Sequence, residues 1–317
     1  MVDPVRTMVL GTGQMGSGMA RLILGKPGLK LVGVYARRAE RAGVDLARVL
    51  GLEVDTGIAI GTDLEVLIEA SRPRVAIQAT CSRLEDARAE IELLVARGVR
   101  VISIAEEMAY PTCRSPRLAQ ALHRQALARG VAVLGTGINP GFVLDLLIIT
   151  LTGVCADVRS IRARRVNDLS AYGPSVLASQ GVGLTPDGFR QGLEAGTVVG
   201  HIGFPASLHM IAAALGWEIE RIEERREPIV SRVPRATPFV RVKPGQVAGC
   251  RHSARAYREG KPVITLLHPQ QIHPQLEGVA TGDSIEIEGT PPVRLAGSPE
   301  IPGGPATIAL AVNMIPR

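Results

Sequence analysis

The segment VLGTGQMGSGMA, residues 9–20, decides the fold class of this chain. Its glycines form the pattern G-x-G-x-x-G between an apolar, strand-like run and a helical pattern. In this setting Gly11 permits a tight turn, Gly13 lets the backbone approach a pyrophosphate, and Gly16 lets the helix pack on the strand. The helix N-terminus adds partial positive charge for phosphates. The segment therefore predicts a dinucleotide-binding loop, and this interpretation is favoured over the alternative of a glycine-rich turn without a ligand.

Strand-helix alternation continues over the first 140 residues. The apolar runs LKLVGVYAR, RVAIQAT, VRVISIAEE and VAVLGTG alternate with helical patterns such as LEDARAEIELLVARG. Such alternation is typical of a doubly wound parallel sheet with helices on both faces. We therefore predict an α/β, dinucleotide-binding Rossmann domain over residues 1–140.

The pattern changes after residue 140. Longer strand-like segments follow, among them VRSIRARRVN, EIERIEERREPIVS and KPVITLLHP. They indicate a mixed or antiparallel sheet with helices on one face. We predict a second, α+β domain with a mixed sheet over residues 141–299, followed by a helix over about 300–317. The pattern alone does not say which domain that helix covers.

The end of the second predicted strand bears on the choice of cofactor. An NAD-binding protein usually places an acid there to bind the ribose 2′-hydroxyl. This chain instead has Ala36, Arg37 and Arg38. Two guanidinium groups attract a 2′-phosphate, which an acid would repel. The arginines favour NADP(H), with NAD(H) as the second option, and two solvent-facing arginines at a helix start are the structural alternative.

Further cofactor contacts are expected where the later strands of this domain end. Small residues lie at the end of the strand RVAIQAT. A helix predicted to begin at Pro140, capped by Asn139, would direct its partial positive end at the cleft. Plain capping at a domain junction is the alternative for that helix. The predicted cofactor-binding residues are Gly11, Thr12, Gly13, Gln14, Met15, Gly16, Ala36, Arg37, Arg38, Ala79, Thr80, Cys81 and Asn139.

The predicted strand VRVISIAEE, residues 99–107, ends in Glu106 and Glu107. Ligands bind outside the carboxyl ends of parallel strands, so these acids are expected beside a nicotinamide ring. Alternation along a strand sends them to opposite faces, so at most one faces a substrate. Burial would raise the pKa of that carboxyl and suit it to proton transfer. Capping of the next segment, or pairing with an arginine, is the alternative for either acid.

The composition argues against several other classes of protein. The 317-residue chain is 46% hydrophobic and 21% charged, which is typical of globular proteins. Its formal charge is +6, but arginines interleave with acids and only 3% of residues are aromatic, so no nucleic-acid partner is expected. The cysteines and histidines have neither metal-ligand nor disulfide spacing. With no membrane span or signal peptide expected either, we predict a cytoplasmic protein without a metal.

Several strings, in order along nearly the whole chain, resemble the 2,4-diaminopentanoate dehydrogenase and native amine dehydrogenase family. They include GTGQMGSGMA, ISIAEEMAYP, VLGTGINPGFVLDLL, SAYGPSV, GHIGFP, HPQQI, EGVATGD and VNMIP. The resemblance implies a dihydrodipicolinate-reductase-like architecture, in which the second domain carries substrate and dimer contacts and the C-terminal helix returns to the Rossmann domain. It also implies reversible NAD(P)-dependent deamination of an amine to a ketone plus ammonia, by a homodimer.

The resemblance also implies roles for individual residues. A glutamate of the AEEM motif is expected to handle the amine or ammonia, with Glu107 favoured over Glu106. Members usually have an aspartate at the position of Ala36, so the cofactor choice rests on the arginines. Arg165 is expected to hold a substrate carboxylate, if the substrate has one. The substrate-binding residues are expected to be Thr136, Arg165, Asn167, Tyr172, His201 and His268.

Two other functions stay open on the sequence. A reductase of a preformed or cyclic imine would use the same fold without free ammonia, so an ammonia requirement in the reductive direction separates it from an amine dehydrogenase. A non-catalytic NADP(H)-binding sensor would bind the cofactor without turnover. The paired acids at the end of VRVISIAEE argue against that sensor.

Overall fold

The computed structural model describes residues 3–315, and the chain divides into two compact units. One unit comprises Met1–Phe142 together with Gly303–Arg317, and the other comprises Val143–Pro302. The C-terminal residues therefore belong to the same unit as the glycine-rich loop. Among the helices formed by residues 3–315, none is both long and apolar enough to cross a membrane.

The first unit is built on a six-stranded sheet in which every pair of neighbouring strands is parallel. The order across the sheet is β3-β2-β1-β4-β5-β6, which is that of a doubly wound Rossmann sheet. The predicted fold class is therefore confirmed. The strands are β1 (Val5–Leu10), β2 (Leu29–Tyr35), β3 (Ile60–Gly61), β4 (Val75–Gln78), β5 (Arg100–Ser103) and β6 (Val133–Gly135).

Helices cover both faces of this sheet, because successive strand residues point to opposite sides. Met8 and Leu10 of β1 belong to a core cluster with residues of α3, α4 and α5, whereas Val9 belongs to a cluster with α1 and α2. The helices of this unit before residue 143 are α1 (Gln14–Leu24), α2 (Leu46–Leu50), α3 (Leu64–Ser71), α4 (Leu84–Ala96) and α5 (Pro116–Arg129).

The C-terminal helix, Gly303–Asn313, packs against α1 within the first unit. Its Ala311 and Val312 are buried in the same core cluster as Val9. The approach is close enough that a Cβ on Gly18 of α1 would lie 2.4 Å from Cδ1 of Ile308. The helix therefore shares the core on the same face of the sheet as α1.

The second unit contains a six-stranded mixed sheet in the order β14-β13-β7-β12-β11-β8. The pair β7–β12 is parallel, and the other neighbouring pairs are antiparallel. Its strands are β7 (Asp157–Asp168), β8 (Arg221–Val230), β11 (Val247–Arg258), β12 (Lys261–Gln271), β13 (Gly282–Thr290) and β14 (Val293–Gly297); β9 (Arg235–Ala236) and β10 (Arg241–Val242) form a separate pair. The helices are α6 (Leu146–Thr152), α7 (Pro174–Ser179), α8 (Pro186–Glu194) and α9 (Phe204–Ala214). The predicted mixed sheet is confirmed.

Two local predictions were wrong, and both affect the site. Strand β5 ends at Ser103, so the acids of VRVISIAEE lie on a 3₁₀ turn, Glu106–Ala109, to which strand alternation does not apply. The predicted helix at Pro140, capped by Asn139, does not form. Gly141 there has a φ of +120°, outside the helical region, and a Cβ on it would lie 2.6 Å from N of Gly137.

The next helix after this turn is α6, which begins at Leu146. Its cap is Asp145, whose carboxylate accepts a hydrogen bond from the Leu146 N–H at 2.6 Å. An aspartate is as good an N-cap as the asparagine proposed from the sequence. The helix therefore starts six residues later than predicted, and its positive end cannot serve the role proposed for Asn139.

Candidate active site

The loop between β1 and α1 has the geometry that a pyrophosphate requires. A Cβ on Gly11, where φ is +116°, would lie 2.6 Å from the Ala79 carbonyl oxygen, and one on Gly16 would lie 2.1 Å from the Gly11 oxygen. At Gly13 no described atom lies within 4 Å of the Cβ position, so the backbone there is open to a ligand. Helix α1 begins at Gln14 with no side-chain cap on its N–H groups. The loop fits the diphosphate of a dinucleotide.

The two arginines after β2 lie in different environments. Arg37 donates from Nε to Oε1 of Glu90 at 2.7 Å and from Nη2 to the Asp86 carbonyl at 2.6 Å. Arg38 is 63% exposed, and its ion pair with Glu40 is long, at 4.0 Å. Ala36, which precedes them, is buried. Of these two arginines, Arg38 therefore presents the less compensated positive charge.

Glu90 of α4 was not anticipated from the sequence, yet it links the ends of β2 and β4. Its second oxygen accepts hydrogen bonds from Thr80 Oγ1 at 2.5 Å and from Gln78 Nε2 at 3.4 Å. Only 7% of Glu90 is exposed. Gln78 in turn accepts from Ser103 Oγ at 2.5 Å. The predicted residues Ala79, Thr80 and Cys81 thus directly follow a strand end that hydrogen bonds hold in place.

The 3₁₀ turn after β5 places Glu106 and Glu107 differently. Glu107 accepts from the Leu84 N–H at 3.0 Å, at the start of α4, and pairs with Arg114 Nη1 at 3.1 Å. Glu106, by contrast, receives no hydrogen bond from any group within residues 3–315. Burial raises the pKa of the Glu106 carboxyl above its ordinary value, and the nearby charge of Glu107 raises it further. Of the two acids, Glu106 is therefore the one whose raised pKa suits it to proton exchange.

Strand β6 holds this turn at the carboxyl edge of the sheet. A Cβ on Gly135 would lie 1.7 Å from the Met108 carbonyl oxygen, so only glycine allows this approach. The Thr136 N–H donates to the Ser103 carbonyl at 2.9 Å, and Thr136 is buried. On the other side of the turn, Ser103 Oγ accepts from the Ala105 N–H at 3.2 Å. Backbone contacts and one serine thus fix where Glu106 lies.

The second unit gathers four of the predicted substrate-binding residues around β7 and β12. Nε2 of His268 lies 2.9 Å from Oδ1 of Asn167, and because an amide oxygen only accepts, this nitrogen carries the proton. Tyr172 also bonds to Asn167, and burial raises the pKa of its hydroxyl. The ring centroids of His201 and His268 are 5.2 Å apart.

His201 is the least satisfied polar side chain of this cluster. It is 8% exposed, and its buried Nε2 has no hydrogen-bond partner among the residues that the structure describes. Burial, with a smaller effect of His252, lowers the pKa of His201 to about 3. Burial also lowers the pKa of His268 well below its ordinary value. Both rings are therefore neutral at neutral pH.

His252 and Glu224, neither of which was singled out from the sequence, hold the His201 backbone. The His201 N–H donates to Nδ1 of His252 at 3.0 Å, so the proton of that ring lies on Nε2. This Nε2 is 2.9 Å from Oε2 of Glu224 and donates to it. His252 lies on the inward face of β11, so a histidine at an apolar-alternation position was the one available signal.

Arg165 is occupied within the protein. It is 2% exposed; Nη1 donates to both carboxylate oxygens of Asp283, at 2.7 and 2.9 Å, and Nη2 donates to the Ile301 carbonyl at 2.5 Å. Its charge is therefore compensated by a neighbouring strand. This geometry favours a role in positioning the cluster over direct capture of a substrate carboxylate.

Comparison with known proteins extends over the whole chain. The family model of the 2,4-diaminopentanoate dehydrogenase C-terminal domain matches residues 142–317, and that of the dihydrodipicolinate reductase N-terminus matches residues 5–103. A 2,4-diaminopentanoate dehydrogenase of Acetoanaerobium sticklandii is 42% identical over 317 residues, which cover 100% of this chain and 90% of that protein.

Two amine dehydrogenases are also similar. That of Streptomyces virginiae is 25% identical over 92% of this chain and 84% of its own. The solved structure of the enzyme from Mycobacterium smegmatis matches with a TM-score of 0.83 and 27% identity, covering 98% of this chain and 91% of that one. The resemblance seen in the sequence motifs is thus confirmed, and the Rossmann fold implies a nicotinamide cofactor. The chain belongs to the 2,4-diaminopentanoate dehydrogenase family and is an oxidoreductase that acts on amines.

Proposed function

We propose that the protein catalyses the reversible NADP(H)-dependent deamination of a small amine to a ketone and ammonia, with Glu106 as the acid-base group. The observation that carries the proposal is a partly buried carboxylate of raised pKa, without a described hydrogen-bond donor, at the carboxyl edge of a dinucleotide-binding sheet. Ligands of open parallel sheets bind at that edge. Glu107, which the sequence favoured, is instead engaged in bonds to Leu84 and Arg114.

Glu106 acts first as a base. A free amine is largely an ammonium ion at neutral pH, and it must lose a proton before its nitrogen lone pair can assist departure of hydride from the adjacent carbon. The Glu106 carboxylate takes that proton, and its raised pKa makes the transfer less unfavourable. When bound, the nicotinamide supplies the hydride acceptor. The substrate is then an iminium cation, which adds water and releases ammonia as its C–N bond breaks.

Glu106 stabilises charge as well as moving a proton. A carboxylate in a poorly hydrated site favours a cationic iminium over a neutral ketone. In the reductive direction the same carboxylate binds ammonium and takes a proton from it, so that the ammonia released adds to the ketone.

The neutral histidines of the second unit suit a cationic substrate. A protonated ring would repel an ammonium or iminium group, whereas His201 and His268 stay uncharged because burial lowers the pKa of each. We propose that this cluster supplies uncharged hydrogen-bonding groups to the substrate, with Asn167 and Tyr172 as its polar members. The relatives are named for 2,4-diaminopentanoate and for amines, so both classes of substrate are tested below.

NADP(H) preference is proposed from Arg38, whose exposed charge fits a 2′-phosphate.

A homodimer is also proposed. The mixed sheet has one face on which charged side chains such as Arg164, Arg255 and Glu286 remain exposed around the half-buried Leu267. Sedimentation velocity of the purified protein measures the oligomeric state directly. A cytoplasmic location stays a prediction from the sequence.

The experiment that tests the function is a spectrophotometric panel with purified protein. Ketones and 2-amino-4-oxopentanoate are offered with ammonium, and oxidation of NADPH and of NADH is followed side by side. Ammonium-dependent oxidation that is faster with NADPH supports the proposal. Oxidation that needs no ammonium identifies an imine reductase, and cofactor binding without turnover on any substrate identifies a sensor.

A further inference from the structure

The Arg37–Glu90 pair has a consequence for how the protein distinguishes NADPH from NADH. Arg37 follows β2, where the adenosine half of a dinucleotide lies in this fold. Its guanidinium is held at two nitrogens, by Glu90 at 2.7 Å and by the Asp86 carbonyl at 2.6 Å. The hydrogen bond to Glu90 raises the pKa of Arg37. The group is therefore a fixed cation whose charge is already balanced.

Glu90 is itself held in place and cannot follow a moving arginine. Thr80 Oγ1 donates to its other oxygen at 2.5 Å, and Gln78 Nε2 lies 3.4 Å from the same atom. Because Glu90 is almost fully buried, water screens its charge less than that of a surface acid. Its carboxylate therefore contributes to the electrostatic field at the end of β2.

Arg38 has no comparable partner among residues 3–315. Its ion pair with Glu40 is long, and both side chains are more than half exposed, so the pair contributes little. A 2′-phosphate bound here would therefore contact the guanidinium of Arg38, whose charge is largely uncompensated. The charge of the Arg37 guanidinium is balanced by Glu90. The 42% exposed side chain of Arg37 remains available as a flat surface for an adenine ring, which NADPH and NADH share.

Building on the proposed use of NADP(H), we propose that Glu90 sets the strength of cofactor discrimination. It restricts Arg37 to holding the adenosine common to both cofactors and leaves the 2′-phosphate to Arg38. Glu90 touches no cofactor atom in this proposal and acts as a positioning residue. Removing its charge, rather than adding a cation, should then strengthen the preference for NADPH.

The test is Glu90→Gln, which keeps the size of the side chain and one oxygen acceptor but removes the charge. Dissociation constants for NADPH and NADH are measured by fluorescence titration of the full chain. One additional uncompensated charge near a phosphate should raise the ratio of the NADH constant to the NADPH constant about threefold to tenfold. The fragments 2′,5′-ADP and 5′-AMP should show the same change in calorimetry, because they contain the atoms concerned.

Glu92→Gln is the matched control. It removes an acid from the same helix, where Glu92 pairs with Arg88 at the surface. The ratio of constants should stay within about twofold of the wild-type value, since a surface charge is screened. Arg38→Ala should lower the ratio towards one by weakening NADPH alone.

A ratio that is unchanged or lowered in folded Glu90→Gln overturns the inference. Should that variant not fold, Arg37→Gln decides: equal weakening of NADPH and NADH supports the assignment, and selective loss of NADPH overturns it. Wild-type protein that binds neither nucleotide refutes the proposed function, and this inference with it. Wild-type protein that prefers NADPH while Glu90→Gln fails to sharpen the preference refutes only the inference.

Discussion

Two glutamates of the first unit, the buried Glu90 and the partly buried Glu106, have opposite surroundings. Glu90 accepts hydrogen bonds from Arg37, Thr80 and Gln78, whereas Glu106 receives none from any described group and has a raised pKa. A buried carboxylate with balanced charge holds neighbouring groups in place, and one without a partner is poised to take up a proton. Burial alone therefore does not identify a reactive acid, because the surrounding donors decide its role.

The largest expected effect is on turnover at Glu106. Glu106→Gln keeps the shape of the side chain but removes the base, so kcat/KM for deamination should fall about 10²-fold or more, about 2.7 kcal/mol in barrier height. Steady-state kinetics at saturating NADP⁺ measures this. Glu107→Gln, one residue away, is the control and should lose less than about tenfold. Near-normal turnover of Glu106→Gln, or the larger loss in Glu107→Gln, would reverse the assignment.

Substitution of Glu90 should lower the stability of the protein, whereas substitution of Glu106 should not. Glu90→Ala leaves Arg37, Thr80 and Gln78 without their acceptor, and the free energy of unfolding should fall by about 2–3 kcal/mol. Glu106→Gln should leave stability at pH 7 unchanged or higher, because it removes a partly buried charge that no described group compensates. Urea denaturation followed by circular dichroism compares the two. A stability loss in Glu106→Gln equal to that of Glu90→Ala would mean that Glu106 has an unrecognised partner.

Substitution of Glu107 should lower the free energy of unfolding by less than Glu90→Ala and by more than Glu106→Gln. Glu107→Ala removes the acceptor for the Leu84 N–H at the start of α4, which should cost about 1 kcal/mol, as loss of a helix cap does. Arg114→Ala should cost less, because the Arg114 end of the pair is 65% exposed. Thermal denaturation of both variants shows which substitution lowers the stability more. A greater loss in Arg114→Ala would show that the ion pair, and not the cap, holds this turn.

The smallest effect is a shift in pH dependence. Because burial raises the pKa of Glu106, its carboxylate form is lost on acidification at a higher pH than that of an exposed glutamate. The kcat/KM for deamination should therefore decline below a midpoint above the ordinary glutamate value, and Glu106→Gln should lack that acidic limb. Glu107→Gln should retain the limb. A midpoint at the ordinary value would indicate a solvated Glu106.

Some features of the site could be predicted from the sequence because they depend on neighbours along the chain. The glycine spacing of the phosphate loop and its place between strand and helix are local, and the structure has the close contacts that this spacing implies. Glu90 carried a weaker signal: it occupies the buried stripe of α4 with Ala87, Ile91 and Leu94, where an acid needs a partner. Nothing in the helical pattern named Arg37 as that partner.

The sequence could not predict which of Glu106 and Glu107 is the reactive acid. The residues before them predicted a strand and two opposite faces, but β5 ends at Ser103 and a 3₁₀ turn replaces the alternation. What separates the acids is that Leu84 and Arg114 reach one and not the other. Those contacts come from segments 7 and 23 residues away, which no local pattern brings together.

The sequence by itself determined the alternating α/β unit, its dinucleotide loop, the mixed sheet that follows and the family, because periodicity and motif spacing are properties of short segments. Only the tertiary structure decided which charges are balanced: Arg37 by Glu90, Arg165 by Asp283, and Glu106 by no described group. The physical reason is that the energy of a charge depends on the atoms around it in space, and folding brings those atoms from distant parts of the chain.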